Sequence, residues 1–105
     1  MLTVIVPVCN EEGNLQRLYE RVHAVLAAMD RPHEILFSED GSRDQSFAQL
    51  QALHRQDPAV RVVRFVRNFG QQMAIAAGFK HARGSVIVLL DADLRQHARN
   101  RRDRA

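Results

Sequence analysis

Two carboxylates one residue apart, Asp91 and Asp93, stand at the end of an apolar run, Val86-Ile87-Val88-Leu89-Leu90. Like charges at that separation repel unless a cation or solvent lies between them. An Asp-x-Asp pair so placed is suited to holding a divalent cation against phosphate oxygens. Three more polar clusters carry chemical potential: Cys9 to Asn14, Glu39 to Asp44, and Arg67 to Gly70. The five histidines, His23, His33, His54, His81 and His97, show no paired spacing of the kind a zinc site needs. Cys9, the sole cysteine, ends an apolar segment and reads as a small buried residue rather than a nucleophile.

Regular elements must position these clusters, and the pattern of the chain supplies them. Thr3 to Val8 is a β-branched run that predicts a strand. From Asn14 onward Leu15, Leu18, Tyr19, Val22, Leu26 and Met29 form one apolar stripe at helical spacing, ended by Arg31 and Pro32. Glu34 to Ser38 predicts a second strand, and Ser42 with Gln45 three residues later resembles a capping box opening a second helix with Phe47, Leu50 and Leu53 inward. For Asp44 a capping role is favoured over ligand contact. Asp57-Pro58 breaks the chain, Val60 to Val66 is a third strand, Gly70 to Ala82 a third helix, and Val86 opens a fourth strand.

This β-α-β-α-β-α-β order predicts an α/β, Rossmann-like parallel sheet with right-handed crossovers and helices on both faces. The expected strand order is 3-2-1-4. Each polar cluster then follows a strand, so one rim of the sheet collects the chemistry, where ligands of such folds bind. Asn10 and Gly41 read as turn residues, whereas Asn68 and Gly70 stay open between turn and ligand roles. The fourth strand has no polar alternation and expects cover on both faces, yet falls at an edge. Self-association through that edge is therefore expected.

Composition narrows the partners. The net charge of +3 belongs to the end of the chain: residues 1–94 carry ten basic and eleven acidic side chains, whereas residues 95–105 carry five arginines against Asp103. Two segments follow, a domain over 1–94 and an arginine-rich tail over 95–105 expected to lack structure. Nucleic acid is not an expected partner, since that reading would rest on eleven residues. A single cysteine, no basic leader and no long apolar segment lead to the expectation of a cytoplasmic protein.

Ile5-Val6-Pro7-Val8-Cys9-Asn10-Glu11, Glu39-Asp40-Gly41-Ser42-Arg43-Asp44, Arg67-Asn68-Phe69-Gly70-Gln71 and Asp91-Ala92-Asp93-Leu94 together resemble the ordered motifs of glycosyltransferase family 2. Within it they look most like the dolichyl- and undecaprenyl-phosphate sugar transferases. The resemblance covers residues 3 to 94 and implies the N-terminal, nucleotide-binding half of a glycosyltransferase A fold. It implies a nucleoside-diphosphate sugar donor, with Pro7 and Glu11 against the nucleoside, Asp40 accepting from the base, Asp91 at the ribose and Asp93 at the metal, Mg2+ or Mn2+. The implied acceptor is a polyprenyl phosphate at the membrane surface, and the implied reaction an inverting, metal-assisted displacement.

The departures from the family pattern bear on activity. An aromatic residue commonly stands where Cys9 does, and Arg95 replaces a glutamine that precedes a proline-rich turn; Glu39 occupies a place usual for Asp or Asn, a minor change because the neighbouring Asp40 is the position that counts. After Asp93 the only carboxylate side chain is Asp103, so the catalytic residues are expected downstream of this chain. A frameshift, a truncated product with a foreign end, and a natural short protein with a basic tail all fit the change at residue 95. The chain is thus expected to end before its fold does. Two functions remain open: a sugar transferase, and a truncated, non-catalytic nucleotide-binding fragment or pseudoenzyme.

Overall fold

The computed structural model describes residues 1–90. The Asp91–Asp93 pair and the 95–105 segment lie outside the described residues. Four parallel strands, β1 (Leu2–Val8), β2 (His33–Asp40), β3 (Val60–Phe65) and β4 (Val86–Leu89), alternate with helices α1 (Leu15–Met29), α2 (Ser46–Gln56) and α3 (Gln71–His81). The sheet order is β3-β2-β1-β4, as the βαβ reasoning predicts.

The pleat divides the side chains of β1 and β2. Leu2, Val4, Val6, Val8, Ile35 and Phe37 point to one face, where Leu15, Leu18 and Leu26 of α1 and Leu50 and Leu53 of α2 close the main core. The opposite face receives α3, whose Gly78 lies so near Ile5 that a Cβ there would sit 2.6 Å from Ile5 Cγ2. Glycine is what lets this helix approach the sheet. Of the stripe expected on α1, Tyr19 and Val22 are partly buried, whereas Met29 remains 45% exposed.

At the pole opposite the polar clusters, Glu34 gathers three chain segments. Its Oε2 accepts from Thr3 Oγ1 and from the Arg83 amide, each at 2.7 Å, and its Oε1 accepts from Arg61 at 2.8 Å. Thr3 Oγ1 in turn accepts from the Gly84 amide at 2.8 Å. Burial pushes the Glu34 carboxyl up, but the Arg83 amide, Arg61 and Thr3 outweigh it and hold the group below the ordinary glutamate value.

β4 is an edge strand, and Val86 and Val88 on its outer positions are 49% and 45% exposed. Between it and α1 runs an apolar groove of about 530 Å³, floored by Leu2 and Val4 and walled by Val22 and Leu26. The continuous apolar character of β4 therefore meets no second layer on that face among the described residues. None of the described helices is long and apolar enough to cross a membrane.

Candidate nucleotide site

β1, β2 and β3 succeed one another in one direction across the sheet, and β4 lies on the other side of β1. The switch point is at β1/β4, and the crevice above such a point is where doubly wound sheets take their ligands. Pro7 suits this place for a physical reason. Ile5 accepts from the Leu90 amide at 2.8 Å, so odd-numbered residues of β1 direct their polar backbone groups toward β4. The N–H that Pro7 lacks would have been directed at the Leu90 carbonyl, so the proline removes the rung that follows the last pair, Ile5 with Leu89.

The loops after β1 and β2 are stitched together. The Asn10 amide donates to Ser42 Oγ at 2.8 Å, and the Arg43 amide donates to Asn10 Oδ1 at 2.8 Å. The Glu11 amide donates to Ser46 Oγ at 2.9 Å, and the Glu12 amide to Asp44 Oδ2 at 3.2 Å. Asn10 has φ of 56° and Gly41 of 66°, the left-handed turn conformations expected of them. The Glu11 side chain accepts from Asn14 Nδ2 at 2.9 Å, which holds that carboxylate at the start of α1.

The capping box read from Ser42 and Gln45 does not form. Helix α2 begins at Ser46 with Gln45 as a cap that makes no side-chain bond, and Ser42 is drawn instead to Asn10. Asp44 does the stabilising, since its Oδ1 accepts from the Ser46 amide at 2.9 Å while Oδ2 binds the β1–α1 loop. Burial alone would raise the Asp44 carboxyl; the bonds from Ser46 and the Glu12 amide hold it below the usual aspartate value.

Asp40 ties the third loop. Its Oδ1 accepts from the Phe69 amide at 2.8 Å and its Oδ2 from the Gly70 amide at 3.0 Å, with the residue only 3% exposed. Each carboxylate oxygen retains acceptor capacity beyond one bond. Gly70 caps α3 at φ of 100° and also donates to Asn68 Oδ1 at 3.1 Å, so both residues have structural duties. Asn68 Nδ2 reaches Cys9 Sγ at 3.1 Å. Burial pushes the Cys9 thiol up, the Asn68 bond opposes it, and the charges of Asp40, Glu39 and Asp44 reinforce it. A thiol raised in this way is a poor nucleophile at neutral pH.

Sequence reasoning gave Glu39 little weight, yet it is fully buried, and its Oε1 accepts from the Ser42 amide at 2.8 Å. Its Oε2 has no hydrogen-bond partner, with Arg64 Nε 3.6 Å away. Ser46 was likewise overlooked. The signal for both was available in principle: a polar residue closing a strand or opening a helix beside a tight loop tends to bond backbone amides. Pro7, Glu11 and Asp40 thus converge on one rim, and Asp91 and Asp93 fall outside the described residues. Among the described residues no three His, Cys, Asp or Glu side chains cluster as metal ligands would.

Gly41 is where the loops touch most closely. A Cβ on it would lie 2.3 Å from the Arg67 carbonyl carbon and 2.4 Å from the Asn68 nitrogen. Gly41→Ala is expected to lose about 2 kcal/mol or more, because the left-handed conformation alone costs about 1–2 kcal/mol for a side-chain-bearing residue. Gly13→Ala, where a Cβ meets nothing within 4 Å, serves as the neutral comparison. Urea midpoints of the two variants check the contrast, and equal midpoints would remove the steric account.

Comparison with known proteins places this architecture. Residues 3–99 match the family described as Glycosyl transferase family 2, five residues past the boundary drawn from the motifs. The chain is 44% identical over 95 residues to undecaprenyl-phosphate 4-deoxy-4-formamido-L-arabinose transferase of Pseudomonas paraeruginosa, covering 90% of this chain and 28% of that protein. It resembles S. aureus TarS 1–349 in complex with UDP-GlcNAc, with TM-score 0.72 and 27% identity over 88% of this chain and 26% of the other. It also resembles the mannosyltransferase PcManGT from Pyrobaculum calidifontis in complex with GDP-Man and Mn2+, with TM-score 0.66 and 26% identity over 88% of this chain and 27% of the other. The chain spans little more than a quarter of the length of the curated relatives it matches.

Proposed function

The chain belongs to glycosyltransferase family 2, and on that premise we propose that it supplies the donor half of a site that moves a sugar from a nucleoside diphosphate to a polyprenyl phosphate. The observation that carries this reading is that Pro7 and Asp40, near the C-terminal ends of β1 and β2, and Glu11, in the loop after β1, share the rim of the β1/β4 switch point with loops bonded to one another. Solved relatives of the same fold hold UDP-GlcNAc and GDP-Man, and the arabinose transferase relative supports the lipid acceptor by its name.

In this reading Pro7 and Glu11 line the nucleoside. Asp40 accepts from a ring N–H of uracil or guanine with the lone pairs its two amide bonds leave free. Asp91 takes the ribose, and Asp93 with Asp91 offers the hard oxygen donors that suit Mg2+ or Mn2+. Such an ion, when bound, neutralises charge developing on the departing diphosphate. The loops pre-arrange the amides and carboxylates before the donor arrives, which lowers the cost of ordering them on binding.

A thermal melt in Mn2+ with a panel of UDP- and GDP-sugars tests the donor site. At tenfold excess over Kd, stabilisation of about 1.4 kcal/mol and a rise in Tm of about 6–7 °C are expected. The rise should vanish without metal and in Asp93→Ala; a flat response from folded protein across the panel refutes the site. A second reading is nucleotide binding without transfer, which the same bonded donor loops would support. Labelled product on polyprenyl phosphate separates the two.

A further inference from the structure

The loop from β3 to α3 carries an unusual surface. Val66 is 93% exposed, Phe69 45% and Met73 54%, three apolar side chains within eight residues. Phe69 meets Phe65 edge-on at 5.4 Å between ring centres, and the Arg67 guanidinium lies 4.8 Å from the Phe69 ring centre. Gly41 presses the β2–α2 loop against the backbone of Arg67 and Asn68, which brings exposed Arg43 to the same rim. Arg64, near the end of β3, is turned to the α2 side instead, over the Phe47 ring at 3.9 Å and 3.6 Å from Glu39.

The β3–α3 loop, residues 66–70, carries no acidic side chain. Glu39 and Asp40 are buried, and the remaining carboxylates of the rim, Glu11, Glu12 and Asp44, belong to the β1–α1 and β2–α2 loops. The β3 side itself presents apolar side chains flanked by Arg67 and Arg43, a combination that fits the boundary between anionic headgroups and acyl chains. Arginine stems can lie along apolar surface while the guanidinium reaches phosphate.

We propose that the Val66–Met73 segment is a membrane-surface contact, with Val66 and Phe69 entering the interface of an anionic phospholipid bilayer and Arg67 and Arg43 meeting its headgroups. The inference rests on the proposed lipid acceptor, and it adds where the domain touches the bilayer: at the rim that also carries the donor loops. A phosphate acceptor embedded in the membrane would then meet the donor without leaving its leaflet.

The chain has no tryptophan, so a single introduced one reports locally. Val66→Trp in the full chain is the primary probe, because that side chain packs against almost nothing, and Phe69→Trp is the second. With phosphatidylglycerol vesicles containing no polyprenyl phosphate and no donor, both are expected to shift to shorter wavelength and to be quenched by brominated acyl chains. Phe79→Trp, about 12 Å along α3 from its first residue by helical rise, should not respond. Arg67→Gln in the Val66→Trp background should weaken partition about fivefold, in line with one basic residue at an anionic surface. Phosphatidylcholine vesicles should produce little change. Silent probes overturn the proposal, whether the chain stays in solution or sediments with vesicles through another surface. Because no acceptor or donor is present, such a failure leaves the transferase reading untouched, and failure of transfer leaves the vesicle result standing.

Discussion

Asp40→Ala is expected to lower folding stability by about 3 kcal/mol and to free the start of α3. The carboxylate accepts from two successive amides, those of Phe69 and Gly70, in a residue almost withdrawn from water. Bonds to a charged acceptor contribute about 1.5–3 kcal/mol each, and a donor left without its partner bears a desolvation cost. The lower end of the sum applies because Phe69 and Gly70 are themselves not buried. Asp40→Asn keeps one carbonyl acceptor and should lose about half as much. Urea denaturation gives the magnitudes, and amide exchange at residues 69 and 70 gives the location. An unchanged midpoint in Asp40→Ala would mean that the loop does not depend on the carboxylate. The same substitution removes the acceptor proposed for the nucleobase, so donor affinity is best compared in Asp40→Asn, which keeps more of the loop in place.

Glu34→Gln is expected to lose about 3 kcal/mol at pH 7, since removing one charge of a buried pair costs about 3–5 kcal/mol and Arg61 keeps the His81 carbonyl as a second partner. The pH dependence has a definite sign. The carboxyl sits below its ordinary value in the folded chain, so its contribution is complete above pH 4.5 and drains away as pH falls through the lower folded value. Glu34→Gln lacks that component. The gap between the urea midpoints of the two proteins should narrow from pH 7 to pH 3.5; a gap of constant width would show that Glu34 does not act through its charge.

Much of the architecture was legible because it rests on burial. The stripe from Leu15 to Leu26 defined α1, the β-branched runs defined β1 and β3, and short connections dictated parallel order, so β3-β2-β1-β4 followed. The uninterrupted apolar β4 predicted cover on both faces, yet Val86 and Val88 are 49% and 45% exposed among the described residues, because the strand lies at the edge of the sheet. What escaped was lateral polar pairing. Ser42 was assigned to its own helix because capping is a local pattern, whereas its partner Asn10 lies 32 residues away. The Glu34 hub joins residues 27 to 49 positions apart, and no periodicity reports such contacts. Glu39 looked like a minor exchange because type alone does not reveal that a side chain is sealed against Ser42. At the candidate site, residue types and their placement after strands were readable, but the second occupation of Asp40 by backbone amides was not.

The proline in the central strand has an effect on what the sheet can become. A hydrogen-bonding residue at position 7 could donate to the Leu90 carbonyl and continue the ladder in which the Leu90 amide donates to Ile5. Pro7 has no such donor, so one rung between β1 and its neighbour is removed by covalent chemistry at the switch point. Drift in the surrounding loops cannot restore it.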